Sequence, residues 1–318
     1  ALGVKPTEAL VGRFSDGEIQ VQIKENVRGA DVFIVQSTGA PAENLLELLL
    51  LIDAAKRASA RRITAVIPYY GYARQDRKSE PRVPISAKLV ANLLETAGAS
   101  RVLTVDLHAD QIQGFFDIPV DNLYAIPVFM PALRDIVSEG DWVIVSPDVG
   151  STKRAHLFAR HLGNLPMVLV DKRRVRPNAV ESVQVVGEVR GKRCLVVDDI
   201  IDTGGTIRKA SEALLERGAE EVVVVATHGV FSGKAKEKLA YEGITRIFVT
   251  NTVPPRPEAL EHYYNPDNRK IFEVLGLKPK YTVEKSLPED LEALMKVKER
   301  IEAKKDKFLP KHLRERGS

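Results

Sequence analysis

Short apolar runs rich in β-branched residues alternate with longer amphipathic segments along most of the chain. Residues 32–36 form the first apolar run, residues 43–59 show a helical pattern, and residues 63–68 form the next apolar run. This alternation is typical of parallel sheets with helices on both faces, so we predict an α/β fold. Further strands are predicted over residues 102–105, 142–145, 167–170, 194–197 and 222–226, and further helices over residues 85–97, 152–162 and 207–217.

A helix end, a Gly-Ala pair, a strand and a histidine recur at an offset of about 120 residues. The first copy spans residues 93–108 and the second spans residues 214–228, with the same interval from glycine to histidine. The recurrence predicts two domains of one fold, although a helix, a Gly-Ala pair and a strand can follow one another in any α/β protein. We place the two domains at residues 1–127 and 128–277.

Two segments outside the repeat have a composition of their own. Residues 123–131, with Pro127 and Pro131, predict a hinge between the domains. Residues 278–318 hold 12 Lys and Arg against 8 Asp and Glu. This segment begins with a capping-box pattern at residues 286–289 and continues with an apolar stripe at helical spacing, so we predict a basic helical tail. A basic segment can bind nucleic acid, but the alternating charge signs favour a solvated helix.

The composition is that of a globular chain, with 44% hydrophobic residues among 318, which suffices for two domains. No apolar run approaches the roughly 18 residues that a membrane span needs. The start of the chain lacks the basic and apolar segments of a signal peptide. The single cysteine, Cys194, excludes an internal disulfide. We therefore expect a cytoplasmic protein without a membrane partner.

The most informative stretch follows the predicted strand over residues 194–197. Asp198 and Asp199 stand at the carboxyl end of that strand, where open α/β sheets bind ligands. A helix then begins at two glycines, which let a phosphate approach the N–H groups of its first turn. Paired carboxylates beside such a phosphate cradle suit a sugar phosphate, whereas the alternative is an ordinary strand-to-helix turn. The cradle consists of Asp202, Thr203, Gly204, Gly205 and Thr206.

Two loops in the first half of the chain carry residues that suit a nucleotide. Residues 69–78 interleave tyrosines with Arg74 and other cations, which can stack a base and hold phosphates. The same loop could be part of a nucleic-acid surface, but no matching basic face occurs elsewhere in the core, which favours a nucleotide. Asp106 and His108 follow another predicted strand, where the histidine is either a ligand for a metal or phosphate or a structural residue.

Three further groups fit phosphate chemistry. Residues 14–18 place an aromatic ring beside two acids, which could recognise adenine, although the residues alone favour an ordinary turn. Residues 146–152 read as another phosphate cradle between a strand and a helix. The cations of residues 172–174 follow a strand, where they suit the charge that develops in phosphoryl transfer or form a solvated turn. The chain has neither a Walker loop nor a dinucleotide-binding fingerprint.

Taken in order, these motifs resemble those of the phosphoribosyl pyrophosphate synthetase (ribose-phosphate pyrophosphokinase) family. The resemblance covers about residues 11–253, begins inside the family's usual first domain and fades after Pro254. It implies two tandem phosphoribosyltransferase-like domains, each a mainly parallel sheet flanked by helices, with ATP on the N-terminal domain and ribose 5-phosphate on the C-terminal one. The matching segments are residues 12–18, 67–76, 106–108, 111–121, 145–148, 172–174 and 197–203.

The resemblance also implies a reaction and a set of site residues. The anomeric hydroxyl of ribose 5-phosphate attacks the β-phosphorus of Mg-ATP, which gives phosphoribosyl pyrophosphate and AMP. Lys172 and Arg174 match a pair on the family's mobile catalytic loop that stabilises the transferring diphosphoryl group. The other implied roles are adenine binding by Phe14, Asp16 and Glu18, ATP binding by Arg74, Gln75 and His108, a magnesium site at His108 and Asp148, and ribose 5-phosphate binding by Asp198, Asp199, Asp202, Thr203, Gly204, Gly205 and Thr206.

The resemblance bears on partners and on competing functions as well. Gln113 lies in a segment that the family uses at subunit contacts, so we expect a homo-oligomer, either a hexamer or another assembly of dimers, and no nucleic-acid partner. A non-catalytic associated subunit would show decay at the cationic pair, His108 or Asp198, and all are intact. A plain phosphoribosyltransferase or a phosphoribosyl-pyrophosphate-sensing regulator would leave residues 14–18 and 172–174 without a role.

Overall fold

The computed structural model describes residues 6–173 and 182–253. Their elements fall into two compact units, of which the first ends at Tyr124 and the second begins at Ala125. The expected domain boundary after residue 127 stays a prediction, and the expected helical tail lies outside the described residues. Within the described ranges, no helix is both long and apolar enough to cross a membrane.

The first unit contains a small antiparallel sheet and a four-stranded parallel sheet. Strands β1 (Ala9–Arg13) and β2 (Ile19–Ile23) pair as a hairpin. The elements that follow are β3 (Asp31–Val35), α1 (Glu43–Arg57), β4 (Arg62–Ile67), α2 (Ser86–Ala97), β5 (Arg101–Val105), a 3-10 helix (Asp110–Phe115) and β6 (Val120–Leu123). The parallel sheet has the order β3-β4-β5-β6, so consecutive strands lie side by side and their carboxyl ends form one edge.

Helices α1 and α2 each bury one face in the core of the first unit. Leu48, Ile52 and Ala55 follow helical spacing along α1 and are fully buried, and Leu94 of α2 joins the same cluster. Burying a leucine or isoleucine side chain stabilises a fold by about 1.5–3 kcal/mol. This packing fixes the helices on the sheet, and with them the loops that leave the carboxyl ends of β3, β4 and β5.

The second unit is built around a six-stranded sheet. Its elements are α3 (Ile126–Val137), β7 (Trp142–Ser146), α4 (Thr152–His161), β8 (Met167–Arg173), β9 (Ser182–Val186), β10 (Arg193–Ile201), α5 (Gly205–Glu216), β11 (Glu221–Gly229), α6 (Ala235–Leu239) and β12 (Ile244–Thr250). The strand order is β12-β11-β10-β7-β8-β9, and only β8 and β9 pair antiparallel. From β7 the chain builds the sheet outward through β8, and then returns to β10 on the other side. Such a switch point is where open α/β sheets bind ligands.

The predicted α/β fold is confirmed, and several strands extend further than their apolar runs. β10 continues through Ile201 instead of ending at Val197, because β11 runs alongside it and pairs Asp198 with Ala226. β8 likewise continues beyond Val170, because β9 supplies an antiparallel partner. The elements not predicted from the sequence are β1, β2, β6, β9, β12, α3, α6 and the 3-10 helix.

The predicted hinge over residues 123–131 is too long. The boundary between the units falls inside it, but α3 already begins at Ile126. Pro127 lies in the first turn, where no N–H is needed. Pro131 lies inside the helix, which costs about 3 kcal/mol. The buried apolar stripe of α3, which includes Phe129 and Leu133, offsets that cost.

The repeat is confirmed for the helix end and the strand that follows. The Ala99 N–H donates to Leu94 O at 3.0 Å after α2, and the Ala219 N–H donates to Leu214 O at 3.1 Å after α5. Each copy then enters a parallel strand, β5 or β11. The copies diverge at their histidines, because the first is exposed in the loop after β5 and the second is buried within β11.

Candidate active site

Two carboxylates lie at the carboxyl end of β10, beside the end of β7. Asp198 and Asp199 are buried, with 8% and 6% of their surface exposed. The Ser151 hydroxyl donates to Asp198 Oδ1 at 2.8 Å, and the Asp199 N–H donates to the same oxygen at 2.9 Å. Burial, followed by the charge of Asp199, raises the pKa of Asp198 to about 8. This end of the sheet therefore suits hydroxyl groups or a cation.

The loop after β7, residues 146–152, is here named the β7 cradle, and its polar groups mostly bond to one another. The Ser146 hydroxyl donates to Asp148 O at 2.7 Å, and the Ser151 N–H donates to Asp148 Oδ1 at 2.9 Å. The Thr152 hydroxyl donates to Val149 O at 2.9 Å. Asp148 is half-buried, and its charge contributes to the raised pKa of Asp198. The fold thus brings Asp148 to the carboxylates of β10.

The loop after β10, residues 202–206, is here named the β10 cradle, and it leaves its polar groups open. Gly204 caps α5 with a φ of 71°, a left-handed conformation that favours glycine, and provides no side chain to the first turn. The hydroxyls of Thr203 and Thr206 form no hydrogen bond with other residues in the described parts of the chain. Open N–H groups at a helix start bind phosphate. The predicted ribose 5-phosphate residues therefore lie together, with donors at α5 and carboxylates on β10.

The segment between β11 and α6 holds the β10 cradle in place. The N–H groups of Val230 and Phe231 donate to Ile201 O at 2.9 and 3.0 Å. The Ser232 N–H donates to Asp202 O at 3.0 Å, and the Ser232 hydroxyl donates to an Asp202 carboxylate oxygen. The Asp202 side chain thus orients this neighbouring loop.

In the first unit, the loops after β3 and β4 are tied together. The Thr38 N–H donates to Tyr69 O at 3.0 Å, and the Gly71 N–H donates to Thr38 Oγ1 at 2.8 Å. A Cβ carbon on Gly71 would lie 2.0 Å from Thr38 O, so only glycine allows this approach. The contact fixes the start of the loop that carries Arg74 and Gln75.

The same loop is held at its far end by Gln75 and Asp76. The Gln75 side-chain oxygen accepts the Ser86 hydroxyl, and Gln75 O accepts the Ala87 N–H at 3.2 Å, which anchors the start of α2. Asp76 Oδ2 accepts Gln111 Nε2 at 2.8 Å. This last bond joins the loop of Arg74 to the segment after β5, so the predicted ATP residues of both loops lie along one edge of the sheet.

His108 lies exposed in the segment after β5. The preceding Leu107 N–H donates to Asn122 Oδ1 at 3.1 Å, which fastens the segment to β6. Asp106 is buried and has a φ of 44°, a left-handed conformation that is uncommon outside glycine. The strained residue turns the chain away from β5 and leaves the histidine in solvent.

Phe14, Asp16 and Glu18 lie at the tip of the β1–β2 hairpin. The Phe14 N–H donates to Glu18 O at 2.8 Å, and the Glu18 N–H donates to Asp16 Oδ1 at 3.1 Å. The backbone is therefore an ordinary tight turn, as the residues alone favoured. Phe14 is 51% exposed, so one turn presents an aromatic ring together with two acids.

Lys172 belongs to β8 rather than to the loop after it. Its backbone pairs with Val183 of β9. The Ser-Val-Gln-Val-Val run of β9 alternates as a strand does, and this signal could have predicted the pairing. Arg174 lies outside the described residues.

The two predicted magnesium residues differ in how well they suit that ion. No group of three or more His, Cys, Asp and Glu side chains in the described part of the chain could hold a metal by itself. Magnesium in phosphate enzymes is usually held by one or two carboxylates together with substrate phosphates, so Asp148 fits. The imidazole of His108 is a nitrogen ligand and fits magnesium less well.

The contacts of Ser151 and Ser232 were not predicted from the sequence. Ser151 is the N-cap residue of α4, yet its hydroxyl donates to Asp198 and accepts no hydrogen bond from the N–H groups of the helix. Ser232 and Lys238 belong to the segment around α6, which the sequence reading did not include. The short apolar pair of Ala235 and Leu239 at i, i+4 was the only sequence signal for that helix.

Comparisons with known proteins show the family of this chain. Residues 1–98 match the family model of the N-terminal domain of ribose phosphate pyrophosphokinase, and residues 125–263 match that of the phosphoribosyl transferase domain. A ribose-phosphate pyrophosphokinase of Pasteurella multocida is 55% identical over 253 residues, which are 79% of this chain and 80% of the relative. One of Ralstonia nicotianae is 55% identical over 262 residues, 82% of each protein.

A solved structure supports the same relationship. The crystal structure of phosphoribosylpyrophosphate synthetase from Mycobacterium smegmatis matches with a TM-score of 0.76 and 47% identity, over 81% of this chain and 85% of that one. The resemblance inferred from the motifs is therefore confirmed, and the chain belongs to the ribose-phosphate pyrophosphokinase family.

Proposed function

We propose that this chain is a ribose-phosphate diphosphokinase, which transfers the β,γ-diphosphoryl group of ATP to the C1 hydroxyl of ribose 5-phosphate and releases AMP. The observation that carries the proposal is the open β10 cradle beside the buried carboxylates of Asp198 and Asp199. It occurs in a chain 55% identical to proteins named for this activity. The N-terminal domain, residues 1–127, binds ATP, and residues 128–277 bind the sugar phosphate.

Ribose 5-phosphate binds at the carboxyl end of β10. The N–H groups that begin α5, with the hydroxyls of Thr203 and Thr206, donate to the 5-phosphate. Asp198 and Asp199 bind ribose hydroxyls. Because its pKa is raised to about 8, the Asp198 carboxyl holds a proton near neutral pH and can both donate and accept a hydrogen bond.

ATP binds to the first unit through residues on three loops. The exposed ring of Phe14 stacks on adenine, and Asp16 and Glu18 accept hydrogen bonds from it. Arg74 and His108 hold the phosphates, while Gln75 both contacts ATP and fixes the start of α2. The Asp76–Gln111 hydrogen bond supports this assignment, because it joins the two loops that carry the phosphate-binding side chains.

The transfer step relies on position and charge. Lys172 and Arg174 stabilise the negative charge that spreads over the transferring group, as cations do in phosphoryl transfer. Magnesium bound with ATP would neutralise further charge on the phosphates, with Asp148 and His108 as the protein residues near it. Holding an attacking hydroxyl and a phosphorus atom in reach of each other supplies much of the rate acceleration in such reactions.

The chain works as a homo-oligomer in the cytoplasm, hexameric or assembled from dimers, without a nucleic-acid or membrane partner. Gln113 lies in the 3-10 helix after β5, in a segment that the family uses at subunit contacts. Light scattering of the purified protein tests this part, since a monomer at micromolar concentration contradicts it.

Phosphorus NMR of the purified protein with Mg-ATP and ribose 5-phosphate tests the activity. We expect AMP to appear together with a sugar-linked diphosphate. Release of inorganic phosphate and ADP, or no turnover by folded protein that binds ATP, contradicts the proposal. A matched variant, Lys172→Ala, should lower kcat by about 100-fold or more with little change in ATP binding, because it removes a cation used in the transition state.

A further inference from the structure

Helix α6 lies directly against the β10 cradle. A Cβ carbon on Gly204 would lie 3.0 Å from Leu239 Cγ and 3.4 Å from Ala235 O. Both ends of α6 therefore touch the turn that begins α5. Ser232, just before α6, is bonded to Asp202 at the other end of the same turn. The position of α6 relative to the cradle is thus fixed by packing and by hydrogen bonds.

Lys238 of α6 places its ammonium group at the open side of Gly205. A Cβ carbon on Gly205 would lie 3.7 Å from Lys238 Nζ and 3.8 Å from Thr203 Oγ1. Lys238 Nζ and Thr203 Oγ1 can therefore both donate hydrogen bonds into the space beside Gly205, where the first turn of α5 has no side chain.

The charge of Lys238 is not matched by a nearby acid. Lys238 forms no ion pair with any residue in the two described ranges, 6–173 and 182–253, and its side chain is half-buried. Lys234, one turn earlier, pairs with Glu237 at 3.8 Å and is more exposed. The two lysines lie one helical turn apart. Lys234 is paired with an acid and more exposed, whereas Lys238 is unpaired among the described residues and half-buried.

The site of Lys238 is electrostatically unfavourable unless an anion is present. The start of a helix carries about half a positive charge, and the ammonium group adds a full one beside it. An anion in the space at Gly205 would attract both charges and the Thr203 hydroxyl. A phosphate monoester, with two negative charges and three acceptor oxygens, has the matching chemistry.

We propose that Lys238 is a substrate-binding residue that pairs with the 5-phosphate of ribose 5-phosphate and sets the preference for a phosphorylated sugar. This assignment rests on the proposed function, because it takes the β10 cradle as the ribose 5-phosphate site. Lys238 makes the cradle end of the site positive, while the charge of Asp199, which raises the pKa of its neighbour Asp198, makes the β10 end negative. This polarity orients the sugar with its phosphate toward α5.

The test compares three variants of the full-length protein: Lys238→Gln, Lys238→Arg and the control Lys234→Gln. We expect Lys238→Gln to raise the KM for ribose 5-phosphate about 5- to 10-fold, with kcat and the KM for ATP within about twofold of wild type. Lys238→Arg keeps the charge and should stay within about twofold, as should Lys234→Gln. An unchanged KM in Lys238→Gln, or an equal rise in Lys234→Gln, overturns the proposal.

A binding measurement separates this inference from the activity itself. Ribose 5-phosphate should raise the Tm of wild type and of Lys234→Gln by the same amount, and that of Lys238→Gln by less. If wild type binds the sugar phosphate but makes no AMP, the proposed function fails while this difference still supports Lys238. Equal Tm shifts in all proteins, or no shift in wild type, overturn the role of Lys238.

Discussion

The second unit contains two turns of the same design, and only one of them is left open for a ligand. Both the β7 cradle and the β10 cradle join a parallel strand to the start of a helix. In the β7 cradle, Asp148 accepts the Ser151 N–H and the Thr152 hydroxyl donates within the turn. In the β10 cradle, a glycine caps the helix and the hydroxyls of Thr203 and Thr206 have no hydrogen-bond partner among the described residues.

A polar turn between a strand and a helix is therefore not enough to make a phosphate site. A turn whose own side chains satisfy the helix start has little left to offer a phosphate, whereas a glycine cap leaves the N–H groups and the positive end of the dipole to the ligand. The β7 cradle instead serves the carboxylates, because Ser151 donates to Asp198. In the proposed function, the β10 cradle binds the phosphate and the β7 cradle supports the carboxyl group of Asp198.

The largest expected effect concerns Asp198, which accepts a hydrogen bond from Ser151 of the β7 cradle. Because the pKa of Asp198 is raised to about 8, the folded protein keeps a proton that the unfolded chain loses above about pH 4. The free energy of unfolding should therefore fall as pH rises from about 4 to about 8, by several kcal/mol at about 1.4 kcal/mol per pKa unit. Asp198→Asn should remove this fall when urea unfolding is followed in chelator across that range. Parallel curves for variant and wild type contradict the assignment.

The next effect compares glycine-to-alanine changes in the two cradles by the KM for ribose 5-phosphate. Gly205→Ala would place a methyl group in the space shared by Lys238 and Thr203 without clashing with the protein. Losing the charge-assisted hydrogen bonds of a phosphate amounts to about 2 kcal/mol, so the KM for ribose 5-phosphate should rise about 30-fold while stability holds. Gly150→Ala is the corresponding change in the β7 cradle, where the added methyl would lie 3.3 Å from Asp148 Oδ1. Steady-state kinetics should show it within about threefold of wild type, and equal effects of the two changes would remove the distinction.

A smaller effect concerns stability rather than binding. Gly204→Ala forces alanine into a left-handed conformation and brings its methyl 3.0 Å from Leu239 Cγ. Left-handed backbone alone costs about 1–2 kcal/mol, so the free energy of unfolding should fall by about that amount or more. Urea unfolding measures it, with Gly205→Ala as the neighbouring control. A stability equal to wild type would show that the cap is not held in this conformation.

The smallest effect probes the hydrogen bond between Ser151 of the β7 cradle and Asp198 of β10. Ser151→Ala removes a hydrogen bond that favours the charged form of Asp198, so the pKa of Asp198 should rise further. The loss of stability should be about 1 kcal/mol above pH 8, where Asp198 is charged, and less near pH 6, where it is protonated. Unfolding at both pH values checks this, and an effect larger at pH 6 contradicts it.

The sequence predicted the parallel strands and long helices because their apolar spacing is strong and local. It missed β9 and α6, whose short runs become stable only through the strands and turns they pack against. It also ended β10 at Val197, since polar residues such as Asp198 do not look like a strand until β11 is present to pair with them. Hydrogen bonding between distant segments carries no local pattern, and this limits such predictions.

The candidate site, like the fold, could be predicted from local patterns only in part. Motifs predicted a sugar-phosphate site at Asp198 to Thr206, because turn glycines and strand-end acids have a physical reason to occur together. They could not distinguish this turn from residues 146–152, whose Ser, Asp and Thr look equally suitable. Only the hydrogen bonds reveal that Asp148 and Ser151 are occupied. The proposed role of Lys238 could not be predicted from the sequence, because its five-residue helix contains no binding motif.

The preference for ribose 5-phosphate over ribose tests whether the β10 cradle binds the phosphate. It is measured as the ratio of the two kcat/KM values in wild type, Gly205→Ala and Gly150→Ala. We expect a strong preference in wild type and in Gly150→Ala, and a ratio at least tenfold lower in Gly205→Ala, because only that change fills the proposed phosphate space. An unchanged ratio in Gly205→Ala, or an equal loss in Gly150→Ala, would contradict the claim that the β10 cradle binds the phosphate.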